Sequence, residues 1–170
     1  GNQERIEHVV ELLRLNGERD RALRVAQSQL RRFPQSTVLQ TAAGEVHYQR
    51  KLYRQTEEYC EAVLARDPKN KRALTLMARC HFDQKEYEKA VVVLQRLLQV
   101  TPDNADVHSW LGEARRRLKR LEPALASWQR AIELEDQQGY NFLGAGKTYI
   151  DMKEWEEAKA TLTRALELRP

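Results

Sequence analysis

Three groups of residues carry side chains that could do chemistry. Gly144, Ala145, Gly146, Lys147 and Thr148 end like a phosphate-binding loop, where glycine backbone N–H groups cradle phosphates and a lysine reaches them. That motif requires another glycine where Asn141 stands, and a strand leading into the loop. His47, Cys60, Cys80 and His81 are zinc-ligand types, but the close Cys-x-x-Cys pair of a structural zinc site is missing. Arg115, Arg116, Arg117, Lys119 and Arg120 make the densest cationic run, a type that can meet phosphate or a localisation receptor. At the end of a helix the same run complements the carbonyl end of the dipole. No Ser/His/Asp or Cys/His arrangement is suggested, and the carboxylates are scattered as on solvated helix surfaces. No catalytic residue, metal ligand or cofactor is therefore expected.

The elements that would position these residues follow from a repeat. Pro34, Pro68 and Pro102 are spaced by 34 residues, Asp136 takes the next place, and Pro170 the one after. A fixed period of this size means stacked helical hairpins. In the last copy Phe142, Ala145, Gly146 and Tyr149 line one face of a helix, and Ala158, Leu162, Ala165 and Leu166 one face of a second. Lys51, Lys85, Lys119 and Lys153 recur at the turn between paired helices, with Tyr53, Tyr87, Leu121 and Trp155 two residues later. Asn16 and Gly17 fill that turn in the first copy, where glycine can take φ > 0. Pro123 falls at the start of a second helix, where its missing N–H is harmless. Repeats are expected at 3–36, 37–70, 71–104, 105–138 and 139–170, as one array over 3–170 excerpted from a longer chain.

The anchor residues resemble the tetratricopeptide repeat (TPR), whose pattern is a large residue, Leu-Gly, Tyr, Ala, Phe and Pro at set offsets. Phe142, Gly146, Tyr149, Ala158 and Pro170 carry it in the fifth copy; Leu111, Gly112, Ala124, Trp128 and Ala131 in the fourth; Leu74, Ala78, Ala90, Leu94 and Pro102 in the third. The second has Leu39, Gly44, Thr56 in the alanine place, Leu64 and Pro68, and the first is weakest, with Gly17, Ala22, Leu30 and Pro34. The resemblance implies an all-α fold, an α-α superhelix built as a right-handed solenoid of five hairpins. It also implies a concave groove, lined by the first helix of each repeat, that holds an extended peptide.

On that expectation the partner-binding residues are Tyr48, Arg72, Arg79, Phe82, Trp110, Arg116, Arg117, Tyr140 and Lys147. The groove reads as acidic at the N-terminal end around Glu4, Glu7 and Glu11, aromatic in the middle, and basic towards the C-terminal half. Trp110 stands off the Leu111/Gly112 stripe among arginines, a composition usual at binding hot spots. The clamp residues of chaperone-tail-binding members are not matched: Glu7, Glu11, Thr41, Glu45 and Trp110 occupy those places. The asparagine ladder of the O-linked N-acetylglucosamine transferase array is broken by His8, Ala42, Leu76, Trp110 and Gly144.

The function expected is a non-catalytic scaffold that binds an acidic or amphipathic segment of a partner protein, as an assembly or adaptor module. The alternative is a substrate-recognition arm of an enzyme whose catalytic domain lies elsewhere. With 32% charged and 41% hydrophobic residues and no long apolar run, no membrane span is expected. A net charge of +4, balanced by many acids, argues against nucleic acid, with contact through Arg115 to Arg120 as the lesser possibility. Cys60 and Cys80 read as buried free thiols and do not fix the compartment, for which cytoplasm is the default. Leu162, Ala165 and Leu166 mark a final face that a further helix would cover. Self-association there, or a chain running on past Pro170, is expected.

Overall fold

A computed structural model describes residues 1–168 and contains ten α-helices among them. They are α1 Asn2–Leu15, α2 Arg19–Leu30, α3 Thr37–Gln49, α4 Tyr53–Leu64 and α5 Lys71–Asp83, followed by α6 Tyr87–Val100, α7 Ala105–Arg117, α8 Leu121–Leu134, α9 Gly139–Met152 and α10 Trp155–Glu167. The fold class is all-α, as the period predicts. Pro34, Pro68, Pro102 and Asp136 lie in the loops after α2, α4, α6 and α8, while Pro170 lies outside the described residues. The chain divides into two compact units, Gly1–Cys80 and His81–Pro170.

Every turn inside a repeat is built the same way. Lys51, Lys85, Lys119 and Lys153 take φ of 60°, 61°, 59° and 65°, and Gly17 takes 78° in the first copy. The residue after each donates back to a helix carbonyl: Glu18 to Leu13, Leu52 to His47, Glu86 to His81, Arg120 to Arg115 and Glu154 to Tyr149, all at 2.9–3.0 Å. Together with the bonds that span three residues, Gly17 to Arg14, Lys51 to Tyr48, Lys85 to Phe82, Lys119 to Arg116 and Lys153 to Ile150, these are Schellman stops. They satisfy carbonyls that the helix end leaves open and reverse the chain within three residues.

The helices that open repeats two, three and four start on side-chain caps. Ser36 Oγ accepts from the Leu39 N–H, Asn70 Oδ1 from Ala73 and Asn104 Oδ1 from Val107, each at 3.1 Å. Gln138 holds the corresponding place before α9 and makes no such bond. These caps follow Pro34, Pro68 and Pro102 by two residues, so proline and cap together mark each new repeat.

The first unit closes around Val10, Leu23, Ala26, Leu39, Ala42, Ala43 and Val46, with Ile6, Phe33 and Tyr59 packed against them. Thr56 is fully buried in the alanine place because its hydroxyl donates to the Leu52 carbonyl at 3.1 Å. In the second unit Trp128 is wholly buried, and its ring fills the space left by two glycines. A Cβ on Gly112 would stand 2.8 Å from that ring, and one on Gly144 2.5 Å. Gly146 is likewise pressed against Leu162, at 2.6 Å for a Cβ. Of the final face, Ala165 is buried and Leu162 half-buried, while Leu166 is 66% exposed.

Candidate partner-binding site

The first unit brings Tyr48, Arg72 and Arg79 to one place. Arg72, Thr75, Leu76 and Arg79 follow the helical spacing that puts them on one face of α5. Tyr48 stands one turn beyond Glu45 on α3, and Arg14 one turn beyond Val10 on α1. Between them lies a cleft of about 390 Å3, lined by Arg14, Glu45, Tyr48, Gln49, Lys71, Arg72, Thr75, Leu76 and Arg79.

One wall of this cleft is a closed ring of ion pairs. Arg14 donates to Glu11 at 2.6 Å and meets Glu45 at 3.2 Å. Arg72 donates to Glu45 at 2.7 Å and 3.1 Å, and to Glu11 at 3.0 Å. The bidentate grip on Glu45 is the geometry that favours arginine over lysine. Hydrogen bonding from Arg14, helped by the Arg72 charge, holds the Glu11 carboxyl below the usual range against the opposing effect of burial. Glu11 and Glu45 are therefore spoken for.

Arg79 is different. It is exposed, its guanidinium lies 4.8 Å from the centroid of the Tyr48 ring, and it has no carboxylate partner among the described residues. Lys71 is also exposed and without one. With Arg14 and Arg72, the lining carries four cations against the single carboxylate of Glu45. Of the acids expected at the N-terminal end, Glu11 is paired with Arg14 and Arg72, Glu4 with the N-terminal ammonium, and Glu7 accepts from Gln3 and Ser36. The excess charge in the lining of this cleft is positive.

The second unit treats its predicted residues otherwise. Phe82 packs edge-on against Tyr87, at 5.4 Å between ring centroids, and so helps hold the turn. Arg116 is bound to Glu113 at 2.9 Å and to Asp151 at 2.9 Å, and Arg117 to Glu113 at 2.6 Å. Burial works against the charge on Glu113, but hydrogen bonds from Arg116 and Arg117 keep its carboxyl below the usual range. Tyr140 is half exposed and meets the edge of Trp128 at 5.7 Å. Trp110 is half-buried, and Lys147 is exposed with no carboxylate partner among the described residues. The apolar cleft of this unit, about 270 Å3, is lined instead by residues such as Leu125, Ile132, Phe142, Ala145 and Tyr149.

Of the five cations of the basic run, Arg115, Arg116, Arg117 and Lys119 have partners within the fold, and Arg120 is exposed. Arg115 donates to the Pro123 carbonyl at 3.1 Å and to Ser127 Oγ at 2.8 Å, and Lys119 approaches Asp151 at 3.8 Å. The phosphate-loop look-alike lies inside α9, where Gly144 accepts from the Thr148 hydroxyl at 2.9 Å and its N–H groups serve the helix. Cys60 and Cys80 are buried thiols not joined in a disulfide; burial, then the nearby Cys80, pushes the Cys60 thiol up to about 12. Among the described residues no helix is long and apolar enough to cross a membrane.

Lys71 was missed by the sequence reading, which took the groove repeat by repeat. Its signal was the spacing of Lys71, Thr75 and Arg79, four residues apart on one helix face.

No curated protein sequence matches the chain. Among solved structures, MamA from Desulfovibrio magneticus RS-1 (41 to the end) superposes with a TM-score of 0.90 at 19% identity, covering 97% of this chain and 93% of that one. MamA AMB-1 gives 0.87 at 22% identity, covering 98% and 91%. YrrB, described as a TPR protein with an unusual peptide-binding site, gives 0.87 at 20% identity, covering 97% and 85%. At such identities the likeness is one of fold. The family described as "Tetratricopeptide repeat" matches residues 47–114 and 81–143, and again 141–170, well over half of the chain. With that match, the Schellman turns and the period of 34, the chain belongs to the tetratricopeptide repeat family.

Proposed function

We propose that the chain is a non-catalytic protein-interaction module that holds an acidic segment of a partner protein in the cleft of its first unit. The observation that carries this reading is the pair of cations, Lys71 and Arg79, that have no carboxylate partner among the described residues, on a cleft whose other arginines are already neutralised. A guanidinium held over a tyrosine ring by cation–π attraction still has N–H donors to offer a carboxylate. Tyr48 and the buried Leu76 supply apolar surface beside that charge, which suits a segment with one apolar anchor. The ring of Glu11, Arg14, Glu45 and Arg72 fixes the wall, so little side-chain ordering is left to be done on binding. Affinity in the micromolar range, about −8 kcal/mol, is expected for one such segment.

The test is calorimetric titration of an acidic peptide carrying a single leucine into the protein and its Arg79→Ala and Tyr48→Ala variants, with helicity checked by circular dichroism. Each variant is expected to weaken binding about tenfold or more. Trp110→Ala is expected to leave it unchanged. Full affinity in both cleft variants would move the binding surface elsewhere.

A further inference from the structure

Resting on that reading, we infer that the cleft accepts its segment in extended form with two carboxylates four residues apart and a small side chain midway between them. Lys71 and Arg79 are separated by eight residues of α5, about 12 Å of helix at 1.5 Å per residue. An extended chain advances about 3.3 Å per residue, so four residues cover about 13 Å. Side chains in a strand alternate, and residues i, i+2 and i+4 share one side. A spacing of three would suit the distance less well and would turn the second carboxylate away from α5.

The middle of the cleft sets the remaining condition. Thr75 lies midway between Lys71 and Arg79 on the same face, and Leu76 beside it is only 4% exposed. The i+2 side chain of the segment faces this floor, where a small residue fits and a third carboxylate would meet no free cation. Arg72 is no substitute, since its guanidinium is held by Glu45 and Glu11. The recognised pattern is Asp or Glu, any residue, a small residue, any residue, Asp or Glu.

The experiment uses four peptides with acetylated and amidated ends, equal in length and each with one leucine outside the pattern. The first has two glutamates four residues apart, the second has them adjacent, the third has a third glutamate at the middle place, and the fourth has glutamines for both. Fluorescence anisotropy is followed to millimolar protein. The spaced peptide is expected to bind at least tenfold tighter than the adjacent one. The third glutamate should bring no gain, and Lys71→Gln and Arg79→Gln should each erase the preference. Equal binding of the spaced and adjacent peptides, with the glutamine peptide silent, overturns the spacing and leaves the acidic-segment reading standing. A tighter grip on the third peptide overturns the small-residue condition. If no glutamate peptide binds better than the glutamine one, both readings fall.

Discussion

Lysine is an uneven choice for the left-handed residue that ends a helix, yet it holds that post in four of the five turns. A Cβ costs roughly 1–2 kcal/mol at positive φ because it crowds the following carbonyl oxygen, a cost glycine avoids. Only the first repeat uses glycine there, at Gly17. The cost is tolerated because both Schellman bonds are made in every copy and the lysine side chains reach solvent. Lys85→Gly should therefore stabilise the protein by about 1 kcal/mol, read as a higher urea midpoint. An unchanged midpoint would mean that the lysine side chain itself supports the turn.

At the scale of the element, the second unit is organised by a single indole. Trp128 projects from α8 between Gly112 on α7 and Gly144 on α9, and neither helix could approach so closely with a methyl group in the way. Gly144→Ala would push a Cβ into the ring at 2.5 Å and is expected to cost about 1–3 kcal/mol. Trp128→Ala should cost about 3–5 kcal/mol by leaving a cavity. Thermal unfolding followed by circular dichroism measures both, and a Gly144→Ala protein as stable as the parent would show that the ring can shift. The role of Gly112 and Trp128 was legible, because the repeat pattern names their places. Gly144 was not, because its place in the pattern is normally free; what demands a glycine there is the size of the residue on α8. The caps Ser36, Asn70 and Asn104 could have been read from their spacing of 34 residues, the same as the prolines. The fates of Arg72 and Arg116 could not. Each is matched by carboxylates from other repeats, Glu11 and Glu45 in one case and Asp151 in the other, and a reading taken one repeat at a time does not pair them.

For the molecule as a whole, the net charge of +4 matters less than which cations are already paired. Arg116 and Arg117 share Glu113 and Arg115 is spent on Pro123 and Ser127, whereas Arg120 is exposed with no carboxylate partner among the described residues, so a polyanion is the rival occupant to test. A nucleic-acid binder that neutralises many phosphates loses about 10³–10⁵ in affinity between 50 and 200 mM salt, as counterions released on binding are opposed by bulk salt. A segment meeting two cations has no condensed counterions to release, and only ordinary screening acts on it, with a Debye length near 10 Å at 0.1 M. Over the same salt range its affinity should fall by less than about tenfold. Parallel titrations of the two-glutamate peptide and of a single-stranded oligonucleotide, each at both salt concentrations, separate the cases. A steep slope with the oligonucleotide, together with tighter binding of it at 200 mM, would return the function to the run from Arg115 to Arg120. A shallow slope with the peptide, with binding abolished in Arg79→Gln, would place the working charge at the one arginine that lies over the Tyr48 ring.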